Sequence, residues 1–228
     1  MQLIQEGVDI IDVGGESTRP GAQRVSAEEE LIRVLPVVGA LGNHAVISID
    51  TTRADVARAS IEIGARLVND ISGGRYDEKM LATVAHLNAP YISMHSRGDA
   101  QTMNSLSKYE NVVQDVRDEL QLRVDAALAA GINESNLIID PGLGFAKDAE
   151  QNWEMLRNLE SFQSLGYPML VGGSRKRFLG ALIGSDIPDD RESASIALTA
   201  LLAKSRVWAV RVHGGKAHVD AVKVAGRM

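Results

Sequence analysis

Acids, amides and cations recur at one kind of place in this chain, the residues that close a short apolar run. Asp12 lies near the end of the run at 8–13 with Glu16 after it, Asp50 closes 46–50, Asn69 and Asp70 lie at the end of 67–71, and His95 closes 91–95 with Arg97 after it. Asp140 closes 137–140, Ser174, Arg175 and Lys176 follow 169–172, and Arg211 and His213 end 208–213. A buried carboxylate is costly unless it is paired or solvated, so polar endings on every run point to a site. Asp50, Asn69 and Asp140 are acceptor-type residues that suit a heterocycle rich in N–H donors. Arg19, Lys176, Arg211 and His213 suit a phosphate or diphosphate through charge-assisted hydrogen bonds. A transfer in which an anion departs would use both ends of such a site.

The runs are separated by helical patterns at 26–41, 53–63, 77–87, 108–130, 149–164, 190–204 and 216–225. Strands alternating with helices of this length predict βα units, a parallel sheet and ligands at the carboxyl ends of its strands. A helix, a glycine and a strand follow one another at Gly64, Gly131 and Gly166. Gly7 repeats the pattern, so residues 1–6 read as the tail of a helix. Seven strands are visible where a closed barrel has eight. The expectation is a TIM-type (β/α)8 barrel whose first strand is missing, in a single domain over 1–228. An open doubly wound sheet is the competing arrangement. Ser26 and Glu29 have capping-box spacing, and Pro36 should kink the helix they open.

Composition narrows the function further. The 228 residues carry a formal charge of −6 and 4% aromatic residues, which argues against a nucleic-acid partner. The absence of cysteine excludes disulfides and thiolate metal sites. No apolar run approaches the ~18 residues of a membrane span, so a cytoplasmic protein is expected.

Several polar residues also have plain structural readings. Asp70 suits a turn better than a ligand. Arg175 reads as an ion-pair partner, leaving Lys176 as the ligand contact. Asp12 has Glu16 and Arg19 as candidate partners. Lys147 and Arg97 suit solvent as well as function, and His95 suits either a satisfied polar role or a rim contact. His44, His86 and His218 read as helix-end or surface residues. The glycines of 142–147 and 172–176 match neither a dinucleotide fingerprint nor a P-loop.

Asp12-Val13-Gly14-Gly15-Glu16-Ser17-Thr18-Arg19-Pro20-Gly21 resembles the second loop of the dihydropteroate synthases. Ser48-Ile49-Asp50-Thr51, Val68-Asn69-Asp70-Ile71, Asp140-Pro141-Gly142-Leu143-Gly144-Phe145-Ala146-Lys147, Gly173-Ser174-Arg175-Lys176 and Arg211-Val212-His213 follow in that family's order. The resemblance covers essentially the whole chain. It implies condensation of 6-hydroxymethyl-7,8-dihydropterin diphosphate with 4-aminobenzoate to give 7,8-dihydropteroate and diphosphate, in folate biosynthesis. It assigns the pterin to Asp50, Asn69, Met94, Asp140 and Lys176, with Asp50, Asp140 and Lys176 as the catalytic set. It assigns the diphosphate to Thr18, Arg19, Arg211 and His213, and the aminobenzoate to Arg19, Pro20, Phe145 and Ser174. It also implies Mg2+, held mainly by the substrate diphosphate, and a homodimer.

Two departures stand out. The family continues Arg-Val-His with Asp-Val, whereas His213 precedes Gly214 and Gly215. The family's first-strand segment Asn-Val-Thr-Pro-Asp-Ser-Phe, whose Asn helps hold magnesium, has no counterpart here, so no protein ligand for the metal is expected. The alternatives are a truncated or non-catalytic pterin-binding barrel and, less well supported, a pterin-dependent methyltransferase domain. The latter has no use for the cations at Ser174–Lys176 and Arg211–His213.

Overall fold

Alternation along the strands sets the architecture. In the computed structural model, which describes residues 1–19 and 21–228, five parallel strands pair in chain order. They are β1 (Ile10–Gly14), β2 (Val46–Asp50), β3 (Leu67–Asp70), β4 (Tyr91–Met94) and β5 (Leu137–Asp140). A bridge between Ile139 and Met169 carries the sheet on to β6 (Leu170–Val171), which pairs in parallel with β7 (Ala209–Val210).

Successive strand residues face opposite sides of the sheet. Ile47, Ile49, Val68, Tyr91, Leu137, Ile139 and Val171 face the helices and join the main core. Leu67, Ile92, Ile138 and Leu170, with Ile10 and Ala209, form a separate apolar cluster on the other face. Two residues further along the same face come Asp12, Asn69, Met94, Asp140 and Arg211, with Asp50 beside them in register with Asn69. One face of the sheet is therefore an apolar floor below a polar rim, as inside a TIM-type barrel.

The helices are α1 (Gln2–Gln5), α2 (Ala27–Leu41), α3 (Ala54–Ile63), α4 (Met80–Leu87), α5 (Val112–Ala129), α6 (Ala149–Arg157), α7 (Leu159–Gln163), α8 (Arg177–Ile183), α9 (Glu192–Lys204) and α10 (Lys216–Ala225). Gly131 ends the helical run before β5 at φ 94°, the left-handed conformation that glycine adopts without strain. The stretch at 149–164 divides at Asn158, whose side chain donates to the Glu154 carbonyl at 2.8 Å. α8 has only seven residues and contains Gly180, which hides it from a periodicity reading. α2 continues through Pro36 to Leu41.

Capping also differs from the sequence pattern. Ser26 accepts from the Glu29 N–H, but the Glu29 carboxylate turns to Arg33 at 2.8 Å. The reciprocal box is instead Asp148 with Gln151 at the start of α6. α3 opens on Arg53, which has no capping oxygen, and Asp77 of a later loop accepts from the Ala54 N–H at 2.7 Å. Asp77→Ala is expected to cost about 1 kcal/mol of stability. A denaturant midpoint unchanged from wild type would show that this cap contributes nothing.

Among the described residues, β1 pairs only with β2 and β7 only with β6. Side chains span the interval between them. The Glu6 carboxylate, just after α1, accepts from the N–H groups of Gly215 and Lys216 at 3.1 Å each and caps α10. The last βα unit thus closes against the first. No helix of the described residues is long and apolar enough to cross a membrane.

Candidate active site

The polar rim is built by strand direction. Asp12 on β1, Asp50 on β2, Asn69 on β3, Met94 on β4, Asp140 on β5 and Arg211 after β7 lie on one face at one end of parallel strands. Arg211 joins three of these strands. Its Nε donates to Asp12 Oδ2 at 2.5 Å and its Nη2 to Asp50 Oδ2 at 2.8 Å, while Asn69 Nδ2 donates to the same Asp12 oxygen at 3.1 Å. Burial and the Asp12 charge raise the Asp50 pKa to about 7, against the pull of Arg211. Partial desolvation lowers the Arg211 pKa, but Asp12 and Asp50 outweigh it and the net shift is upward.

Asp140 and Lys176 form the second half. Asp140 is buried and accepts from the Gly142 N–H at 2.8 Å, and burial raises its pKa. Gly142 sits at φ 70°, and a Cβ there would lie 1.9 Å from the His95 carbonyl oxygen, so the turn after Asp140 requires glycine. Lys176 donates to the Leu143 carbonyl and lies 4.8 Å from the centroid of the Phe145 ring. Burial lowers its pKa to about 8 despite the Asp140 charge. Ser174 is buried and 3.1 Å from Nδ1 of His213, so the last two loops meet at the rim.

Thr18 lines a cavity of about 240 Å³ with Asp50, Thr51, Tyr76 and Gln101. The loop carrying it is tied across the mouth, where the Gly21 N–H donates to the Ala100 carbonyl at 2.8 Å. Arg19 is exposed beside Thr18, and Pro20 lies outside the described residues. This rim can bind a donor-rich ring on buried acceptors and hold an anion on neighbouring cations.

A pterin-binding enzyme profile matches residues 1–213. The chain belongs to the pterin-binding enzyme family. It is 48% identical to the dihydropteroate synthase of Mycobacterium leprae over 99% of its own length and 82% of that relative. The structure of the Xanthomonas albilineans dihydropteroate synthase with 4-aminobenzoic acid superposes with a TM-score of 0.93 at 40% identity, covering 99% of this chain and 81% of that one. The same enzyme with 7,8-dihydropteroate gives 0.89 at 36% identity, with the same coverages.

In this pterin-binding enzyme Asp70 and Arg175 take the structural roles expected of them, while Asp12 and His218 do not. Asp70 is a turn residue, accepting from the N–H groups of Ser72 and Gly74 and from the Tyr91 hydroxyl. Arg175 pairs with Asp189 and Glu192 while the adjacent Lys176 turns inward. Asp12 does not pair with Glu16 or Arg19. Its side chain points to the inner face, whereas Glu16, beyond the strand, pairs with Arg24 and Arg53 at 3.1 Å each. His218 is not a surface residue. It is buried, with Nδ1 2.8 Å from the Thr199 hydroxyl and Nε2 3.3 Å from Glu192.

His95 and Lys147 are the largest surprises. Both are buried, and Lys147 is not solvated. His95 is no rim contact, because it follows Met94 and alternation turns it away from the inner face. The buried Glu30, which accepts from the Thr51 hydroxyl at 2.6 Å and pairs with Arg53, was equally hidden as an ordinary helix-surface acid. Only its place one turn inside an amphipathic helix hinted at burial.

Proposed function

We propose that this chain condenses 6-hydroxymethyl-7,8-dihydropterin diphosphate with 4-aminobenzoate, giving 7,8-dihydropteroate and diphosphate. The observation that carries the reading is the convergence of Asp50, Asn69, Asp140, Lys176 and Arg211 at one end of one sheet face. Asp50, Asn69 and Asp140 take the N–H edge of the pterin, with Met94 and Lys176 beside the ring. Thr18, Arg19, Arg211 and His213 take the diphosphate. Phe145, Ser174, Arg19 and Pro20 frame the aminobenzoate.

The amine nitrogen bonds to the pterin methylene carbon as the carbon–oxygen bond to diphosphate breaks, its electron pair leaving on the oxygen. The nitrogen then loses one proton. Positive charge at the methylene is met by Asp50 and Asp140, and negative charge on the departing oxygen by Arg211 and its neighbours. An aromatic amine needs no activating base of the Ser–His kind.

Mg2+ would accompany the diphosphate, held by the substrate rather than by this chain, and would supply charge neutralisation for the leaving group. Among the described residues no three His, Cys, Asp or Glu side chains gather into a metal-sized group, and Asp12 and Asp50 are engaged by Arg211. The chain's donors alone do not form a cage for the ion, and no step above runs through it. A homodimer belongs to the same reading, supported by exposed Leu182, Ile187 and Leu201 on and between α8 and α9, and a cytoplasmic location is proposed with it.

The test is product formation by the purified chain, followed by chromatography of dihydropteroate. Pterin binding without product would favour a non-catalytic barrel. A methyltransferase reading loses ground because the cations of 174–176 and 211–213 would have no anion to hold. The ionisations also predict a pH profile. Asp50 must lose its proton to act, so kcat/KM is expected to rise through about pH 7, and Lys176 loses its charge above about pH 8. A narrow maximum between these values is expected, and a profile flat from pH 6 to 9 would contradict it.

A further inference from the structure

We propose that Lys147 is a positioning residue for this site: its ammonium, braced by His95 and Glu119, pins the 140–147 loop and so holds the Leu143 carbonyl and the Phe145 ring against Lys176. The proposal deepens the function proposed above and rests on it for its kinetic arm.

An ammonium has three donors and no acceptor. Lys147 Nζ meets three acceptors, His95 Nδ1 at 2.9 Å, the Gly142 carbonyl at 3.0 Å and the Phe145 carbonyl at 2.9 Å. Every donor is used, and the residue is only 8% exposed, so no valence remains to reach a substrate. No carboxylate touches the ammonium. The acid stands one imidazole away, where His95 Nε2 lies 3.0 Å from Glu119 Oε2 on α5. Glu119 can only accept there, which places the ring proton on Nε2 and leaves the Nδ1 lone pair for Lys147. With Lys147 charged and His95 neutral, every donor and acceptor along the line is satisfied, while burial pulls the lysine's pKa well down.

The outer end is anchored as well. Arg97 donates to Glu119 at 2.8 Å and stacks over the Tyr109 ring at 3.9 Å, and Arg123 lies 3.8 Å from the same carboxylate. The line therefore runs from α5 through β4 to the loop after β5.

The loop has a shape that needs a pin. Gly142, Gly144 and Ala146 are all left-handed, at φ 70°, 77° and 52°, which turns the Gly142 and Phe145 carbonyls toward one point. Ala146 pays for that conformation with its Cβ, on the order of 1 kcal/mol. Without the ammonium, the Phe145 carbonyl would lose its donor in the interior and the Gly142 carbonyl would keep only the Phe145 N–H at 3.2 Å. Asn152 holds the far side, accepting from the Gly144 N–H at 2.6 Å and donating to the Lys147 carbonyl at 3.3 Å. Between these two holds lie Leu143 and Phe145, the residues that touch Lys176.

The test uses the full chain with Lys147→Met. In the ligand-free protein, hydrogen exchange of the 140–147 amides is expected to rise at least tenfold while the other strand ends stay as in wild type. In turnover, KM for 4-aminobenzoate is expected to rise about tenfold through the displaced Phe145 ring, with the loss of pterin affinity through Lys176 no more than about threefold by calorimetry. Unchanged loop exchange and unchanged aminobenzoate KM would overturn the proposal. So would an equal loss for both substrates with exchange raised throughout, which marks a general scaffold residue. Should Lys147→Met not fold, Glu119→Gln decides, with the same selective pattern expected at about threefold and no change counting against the pin. A wild-type chain that makes no product defeats the proposed function, and the exchange measurement then decides the pin alone.

Discussion

Asp140→Ala is expected to abolish measurable pterin binding, weakening it on the order of 100-fold or more. Asp140 is buried on the inner face and receives one backbone N–H, from Gly142. It is also the acid that keeps Lys176 charged in a buried setting, where burial alone would pull the lysine's pKa further down. Its removal therefore takes away an acceptor for the ring and the counter-charge for the neighbouring cation. Breaking one side of a buried ion pair costs about 3–5 kcal/mol; Asp140 is coupled to Lys176 through charge alone, so a loss near the lower end is expected. Asp140→Asn keeps the oxygen and the shape but not the charge, so an intermediate loss is expected. Calorimetry with 6-hydroxymethylpterin decides the matter, and near-wild-type affinity in the alanine variant would remove Asp140 from the site.

Arg211→Ala is expected to lower kcat/KM for the pterin diphosphate on the order of 100-fold. Two losses combine. The diphosphate loses its cation, and Asp12 and Asp50 lose the guanidinium that separates their charges. The Arg211 side chain is 43% exposed, so solvent screens part of the effect and the lower end of the buried-pair range applies. The sign of the pH effect follows from the same geometry. Arg211 lowers the Asp50 pKa, so removing it moves the acid limb of the profile above pH 7. Arg211→Lys restores charge but not the fork that reaches two carboxylates, so partial recovery is expected. A variant with wild-type kcat/KM and an unmoved acid limb would show that Arg211 serves neither role.

Much of the candidate site is legible in residue order because parallel βα units place strand ends together. Asp50, Asn69, Asp140 and Arg211 could be picked out as soon as the apolar runs were counted, since alternation and strand direction are local properties. The turn at Asp70 and the division of labour between Arg175 and Lys176 were legible for the same reason. Helix boundaries were less so. Asn158 divides a stretch that periodicity reads as continuous, and the cap of α3 comes from Asp77, a residue outside that helix.

The residues that sequence could not place are those whose partners lie far along the chain. Asp12 pairs with Arg211, 199 residues away, and Lys147 with His95, 52 residues away. Glu119 is one acid among many on α5 until the fold brings His95 and Arg97 against it. Composition and spacing determined on their own a parallel α/β wall with an acceptor-rich, cation-flanked rim. The tertiary structure alone decided which charges meet and which are buried, because burial and pairing depend on contacts between strands and helices that no local pattern encodes.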